Sequence, residues 1–274
     1  MTRLFFIGDI VGKPGRELLR RGLPAIVSRH GIDCVIANGE NAAAGFGITP
    51  DICEDLFTYG VHVITGGNHS WDKKEILSYI ADQPRLIRPA NFPAGTPGRG
   101  RVVVEAANGV QVAVINMMGR VFMTAIDDPF RGVLDEIAAV RANARVIVVD
   151  FHAEATSEKV AMGWHLDGRV SLVVGTHTHV PTADTRVLPQ GTAYVTDVGM
   201  TGPHDSVIGV DRSAILQRFL SAMPQRFETA TENPRINAVL VSVDEATGRA
   251  SHIERLDFSA ADVERLLAEP ATAR

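Results

Sequence analysis

The residues best suited to chemistry in this chain are Gly175-Thr176-His177-Thr178-His179. Two imidazoles one residue apart, on a loop built partly from Gly and Thr, can point into one cleft. Neutral imidazole is the commonest metal ligand near neutral pH. Residues 171–174 read as a short apolar strand, so the pair falls just past a strand end. The same arrangement recurs. Apolar runs at residues 4–7, 34–37, 61–65 and 145–149 lead into Gly8-Asp9, Gly39-Glu40-Asn41, Gly67-Asn68-His69 and Asp150-Phe151-His152. Any one such residue carries little weight, because carboxylates cap helices, Asn serves turns and a buried His often bonds to backbone. Together Asp9, Glu40, Asn41, Asn68, His69, His152, His177 and His179, spread over five strand ends, form a set.

One Asp, one Glu, two amides and three imidazoles suit Mn, Fe, Zn or Co better than Mg or Ca. Seven ligands exceed what one ion needs and match two ions sharing a carboxylate. Two ions about 3.5–4 Å apart could activate a bridging hydroxide and clamp a phosphoryl oxygen. His69, left free of metal, is then placed to protonate a leaving oxygen. His30, His62, His165, His204 and His252 lack such a setting and are read as structural.

The elements that must position these groups alternate between strand and helix at first, with hairpins at the middle and end. A helix over residues 16–30 starts behind Pro14 and stops at Gly31, and Pro24 inside it predicts a kink or two shorter helices. Thr49 caps a helix from Pro50 that Gly60 closes, and Asp72 is expected to cap another running to about Ala81. Residues 84–100, rich in Pro, Gly and Arg, read as a surface connection. Asn108-Gly109 turns a hairpin between residues 101–105 and 110–115. Helices follow at Asp128-Pro129 to about Arg141, at 159–166 and at 213–223, with a strand at 193–196. Thr247-Gly248 joins a last hairpin of 237–243 and 250–257, and Ser259 with Asp262 resembles a capping box. The pattern argues a mixed α/β sandwich with helices on the outer faces of the sheets and ligands beyond the carboxyl ends of the strands.

The 274 residues, 45% hydrophobic and 22% charged, without repeats or linkers, predict one domain spanning 1–274. A net charge of −5 gives no reason to expect nucleic-acid or membrane partners. A small phosphorylated substrate stays compatible with it, since bound metal dominates the local field. Cys34 and Cys53 read as reduced core residues, and Met1-Thr2-Arg3 runs into a strand with no secretory h-region, so a cytoplasmic protein is expected.

As an ordered series, Gly8-Asp9, Gly39-Glu40-Asn41, Gly67-Asn68-His69, His152 and Gly175 to His179 resemble the signature of calcineurin-like metallophosphoesterases. Two positions depart from the usual pattern: Val11 stands where a His is usual, and Glu40 where an Asp is usual. Both departures, and Asp197-Val198-Gly199-Met200-Thr201-Gly202-Pro203, resemble the YmdB-like bacterial branch. That likeness implies a four-layer α/β/β/α sandwich, two metal ions (usually iron or manganese), and hydrolysis of 2′,3′-cyclic nucleotides, small phosphodiesters. It also suggests a homo-oligomer. By the same likeness Asp9, Asn41 and His179 hold one ion, Asn68, His152 and His177 the other, Glu40 bridges, and His69 is the proton donor. Competing readings are a phosphomonoesterase or phosphoprotein phosphatase, a metal-dependent amidohydrolase (where the His pair usually comes at the first strand), and a metal-stabilised regulatory module with little turnover.

Overall fold

The computed structural model describes residues 1–269. Their elements run β1 (Thr2–Ile7), β2 (Asp9–Ile10), α1 (Gly12–His30), β3 (Cys34–Asn38), α2 (Pro50–Thr58), β4 (Val63–Thr65), α3 (Ile76–Asp82), β5 (Leu86–Ile87), β6 (Arg101–Glu105), β7 (Gln111–Met118), α4 (Pro129–Val140), β8 (Val146–His152), α5 (Thr156–Leu166), β9 (Leu172–Thr176), β10 (Arg186–Val187), β11 (Ala193–Val195), β12 (Met200–Pro203), α6 (Arg212–Ser221), β13 (Pro234–Val243), β14 (Ala250–Ser259) and α7 (Ala260–Ala268). One sheet has the order β2-β12-β13-β1-β3-β4-β5, with β14 also paired to β13; the other has the order β10-β11-β9-β8-β7-β6.

Strand alternation sorts the apolar residues into three packed clusters, and these define the layers. In β1, Phe5 and Ile7 face Leu19, Leu23 and Ile26 of α1, with α2, α3 and α7 completing that cover. Leu4 and Phe6 point the other way and meet Val112, Val148 and Val174 of the second sheet. The far side of that sheet, through Ile115, Ile147 and Val149, packs on Val133 and Ile137 of α4 and Met162 and Leu166 of α5. The expected α/β/β/α sandwich is what forms.

Local signals mostly act as the sequence predicts. Thr49 accepts from Ile52 N at the start of α2, Asp128 accepts from Phe130 N and Arg131 N at α4, and the Ser259–Asp262 capping box opens α7. Three expectations need correction. α1 begins at Gly12 and runs through Pro24 as one helix, because Leu18, Leu19, Leu23 and Ile26 on either side of the proline are all buried against the sheet. Asp72 does not cap α3, whose N-cap is Glu75 without a side-chain bond; the Asp72 carboxylate turns to His69 instead. Residues 84–100 are more than a surface connection: Leu86 and Ile87 add a buried edge strand, and the Arg88 guanidinium donates to the carbonyls of Pro89, Ala90, Thr96 and Pro97. β2 and β12 were not legible as strands; Asp9 pairs in parallel with Met200, and β12 joins them to β13.

Candidate metal centre

Five strand ends deliver the eight singled-out residues to one cleft. Gly39 N donates to Thr65 O at 3.0 Å, which turns the chain after β3 so that Glu40 enters the site. Its carboxylate takes a hydrogen bond from His69 N at 2.8 Å and lies 3.0 Å from His152 Nε2. Asn68 Oδ1 is 2.9 Å and His177 Nδ1 3.1 Å from that same nitrogen. His179 Nε2 is 3.2 Å from Asn41 Nδ2 and 3.8 Å from Asp9 Oδ1, and His177 N donates to both Asp9 oxygens at 3.2–3.3 Å. Asn41 Nδ2 also donates to Glu40 Oε1, so ligation through the Asn41 oxygen requires the amide to turn over. Gly67 is required here: a Cβ would lie 2.4 Å from both Glu40 Oε2 and His152 Nε2.

Each imidazole is oriented by its other nitrogen, as metal-bound histidines are. The Thr176 hydroxyl donates to Asp150 Oδ1 at 2.7 Å, so at 2.9 Å it accepts from His152 Nδ1–H. His177 Nε2 faces Glu154 Oε2 at 3.2 Å, and His179 Nδ1 donates to Ile208 O at 2.8 Å. The lone pairs of His152 Nε2 and His177 Nδ1 therefore converge with Glu40 Oε1 and Asn68 Oδ1 on one point. A positive charge placed there satisfies all four. It is either a proton on His152, which burial opposes but Glu40 and Asp9 favour enough to lift the ring to about 9, or a metal ion. The ligand atoms of Glu40, His152 and His177 all lie within 4.8 Å of one another, and this donor set fits a transition-metal dication.

The other charges agree. Burial pushes Glu40 up, but His152 and the His69 backbone outweigh it and hold the carboxyl at about 2. Burial, then neighbouring His152, holds His177 down to about 3, in its neutral ligand form. Burial raises Asp9 despite the nearby imidazoles, so carboxylate charge is concentrated where a cation relieves it.

The paired-His loop is held in a costly conformation. His177 (φ 97°) and His179 (φ 65°) occupy the left-handed region, at roughly 1–3 kcal/mol each. Between them Thr178 donates through N and Oγ1 to Asp197 Oδ2 at 3.2 and 2.8 Å, and the fully buried Lys159 Nζ meets the same oxygen at 2.6 Å. Gly175 leaves no alternative backbone path, since a Cβ there would sit 1.7 Å from Thr196 O.

Sequence reasoning missed Asp150, Glu154, Thr176, Lys159 and Asp197 as supports. Asp150 did carry a signal: it lies two residues before His152 in a strand, and so on the same face. His69 stands at the cleft edge with Nδ1 2.7 Å from Asp72 Oδ2, and Phe46 lies edge-on to its ring at 5.0 Å. Val11, where a His is usual, is buried and packs near Gly202 and Gly209. None of the other five histidines enters the cluster: His62, His165 and His204 bond to backbone, His30 packs on Phe258, and His252 lies exposed in β14.

The layer order is shared with a calcineurin-like phosphoesterase, YfkN of Bacillus subtilis, on which the chain superposes with a TM-score of 0.57 over 97% of this chain and 95% of that chain, at 13% identity, a likeness of fold. More narrowly, the chain belongs to the YmdB-like protein family, whose sequence model matches residues 5–256. A relative from Bacillus subtilis (strain 168), named 2′,3′-cyclic-nucleotide 2′-phosphodiesterase, is 51% identical over 254 residues, covering 93% of this chain and 96% of that protein. A crystal structure from Mycoplasma pneumoniae, described as a novel phosphatase, matches with a TM-score of 0.89 at 34% identity over 98% of this chain and 96% of that one. Among the described residues no helix is long and apolar enough to cross a membrane.

Proposed function

We propose that this protein is a di-metal phosphodiesterase that hydrolyses 2′,3′-cyclic nucleotides. The observation that carries the reading is the convergence of Glu40 Oε1, Asn68 Oδ1 and His177 Nδ1 on His152 Nε2, whose proton is drawn to the opposite nitrogen by Thr176. Asn68, His152 and His177 would hold one ion, Asp9, Asn41 and His179 a second, and Glu40 would lie between them. The name of the Bacillus subtilis relative supports the substrate class.

When bound, the ions supply Lewis acidity, making water nucleophilic and neutralising phosphoryl oxygens. The remaining work falls to the chain. Glu40 and Asp9 supply fixed negative charge that retains the cations. The imidazoles are locked by Thr176, Glu154 and the Ile208 carbonyl, so the site needs little reorganisation. His69 donates a proton to the departing ribose oxygen, a poor leaving group as an alkoxide. Asp72 fixes its ring by accepting from Nδ1, which turns Nε2 towards the substrate side. Iron or manganese fits this mixed N/O set, and the two free, buried cysteines support a cytoplasmic setting.

The test is turnover of 2′,3′-cyclic nucleotides beside a phosphoserine peptide and ATP, with manganese or iron supplied. Clear preference for the cyclic diester is expected. Faster turnover of the phosphopeptide would favour a phosphoprotein phosphatase instead.

A further inference from the structure

A second cavity, of about 540 Å³, lies where the segment between β5 and β6 meets α4, and neither His69 nor any candidate metal ligand lines it. That volume falls in the range of roughly 300–1,000 Å³ typical of small-ligand sites. Its charged lining is Arg88, Arg99, Arg101 and Glu136, and the remaining lining residues are Ala or Gly. Three guanidiniums thus meet one carboxylate, in a chain whose net charge is −5. The carboxylates next to lining residues along the chain, Asp82 and Asp135, are solvent-exposed and outside the lining.

The three arginines differ in what they already hold. Arg88 is only 8% exposed, and its guanidinium donates to Pro97 O at 3.2 Å, Pro89 O at 2.8 Å, Ala90 O at 3.3 Å and Thr96 O at 3.1 Å. These carbonyls satisfy most of its donors but leave its unit charge uncancelled, and it forms no ion pair with a described residue. Burial opposes that charge and Glu136 favours it. Arg101 pairs through Nη1 with Glu136 Oε2, both side chains being partly exposed. Arg99 is exposed, and its guanidinium has no hydrogen-bond or ion-pair partner among the described residues. The walls are fixed in place: Asn116, fully buried, donates through N to Gly100 O at 3.0 Å and accepts from Ala90 N at 2.8 Å. The cavity therefore needs little ordering before a ligand enters.

We infer that this cavity is an anion site, separate from the metal cluster, that takes a dianionic phosphate group. The inference does not depend on the phosphodiesterase reading above. Planar guanidiniums match pairs of phosphate oxygens, and Arg99 offers a whole fork without giving up another partner. The excess of positive over negative charge in the lining favours a dianion, either inorganic phosphate or a phosphomonoester, over a monoanionic diester.

The test is calorimetric titration of the metal-loaded protein with inorganic phosphate at low ionic strength. One site is expected whose Kd rises about tenfold in Arg99→Gln, the usual cost of a lost charge-assisted hydrogen bond, and which disappears when Arg101→Gln is added. Arg99 is exposed and unpaired, so its replacement leaves the fold intact. Glu136→Gln removes the lining carboxylate and should tighten the site several-fold. Dimethyl phosphate, a monoanion with the same core, should bind there about tenfold more weakly than phosphate. Phosphate held by the metal ions is recognised by its indifference to all of these substitutions. Phosphate binding unmoved by both arginine substitutions, weaker binding in Glu136→Gln, or dimethyl phosphate bound as tightly as phosphate would overturn the site. Adenosine 3′-monophosphate, titrated in the same way, separates the two sources: tighter binding than inorganic phosphate assigns the site to a phosphomonoester, and weaker binding assigns it to free phosphate.

Discussion

Replacing Thr176 with Val keeps the shape of the side chain and deletes the hydroxyl that links His152 to Asp150. All three residues are 0% exposed, so water cannot replace the lost partners. Two hydrogen bonds vanish, the 2.9 Å bond to His152 Nδ1 and the 2.7 Å bond to Asp150 Oδ1. Asp150 keeps Asn38 Nδ2 at 3.3 Å and Thr65 Oγ1 at 2.5 Å on its other oxygen, so the carboxylate is only partly orphaned. A buried donor or acceptor left unpaired costs about 1–3 kcal/mol. The metal-free protein should therefore lose roughly 2–5 kcal/mol, a fall in Tm of about 5–15 °C for a chain of this size. The His152 proton is no longer held on Nδ1, so cation affinity should fall roughly 10–100-fold, the usual consequence of removing such a support. Manganese titration followed by the EPR signal of the free ion gives the affinity, and melting with and without metal gives the stability. Thr176→Ser restores the hydroxyl and should recover most of the affinity. Wild-type affinity in Thr176→Val, or a Ser variant as weak as the Val variant, would refute the relay.

Glu40→Gln removes a buried carboxylate whose partners are site residues; metal content by elemental analysis and activity should both collapse while the circular dichroism spectrum persists, and full metal occupancy in the variant would remove Glu40 from the ligand set. His69→Ala should retain both ions and lower turnover of cyclic nucleotides by roughly 10²–10⁴, with a much smaller loss on nitrophenyl esters that leave without a proton. Metal loss in that variant would make His69 a ligand. Gly175→Ala forces a Cβ against Thr196 O and should destabilise the protein and displace the paired histidines, visible as lost metal binding even where the chain still folds; a variant that binds metal normally would contradict the geometry. Burial pushes the Cys34 thiol up to about 12 and Cys53 up as well, so at pH 8 both stay protonated and enclosed. Neither should react with a disulfide reagent until the protein is denatured, and rapid labelling of the native protein would count against the packing around β3 and α2.

The sequence alone determined which residues reach the strand ends, because that information is local. Apolar runs buried on both faces, interrupted by Gly and then by a carboxylate, amide or imidazole, put Asp9, Glu40, Asn68, His152 and His177 at the same edge of their sheets whatever the rest of the chain does. Asn108-Gly109 and the Ser259–Asp262 box are equally local, since turn and cap geometry is set by neighbouring residues. What only the tertiary structure decided depends on partners far apart in the chain. Pro24 weakens α1, but the apolar residues around it are buried and the helix continues. The proton on His152 is settled by Thr176 and Asp150, and the ring of His179 by a carbonyl 29 residues away. The apolar wall of the cleft comes from a segment, residues 205–230, whose sequence suggests only a helix and loops; it lines the same cavity as Glu40, His177 and His179 because β12 pairs with β2 and β13 and brings that segment beside them. Periodicity records which face a residue takes, whereas the contact that fixes a proton or closes a cavity exists only once distant strands have paired.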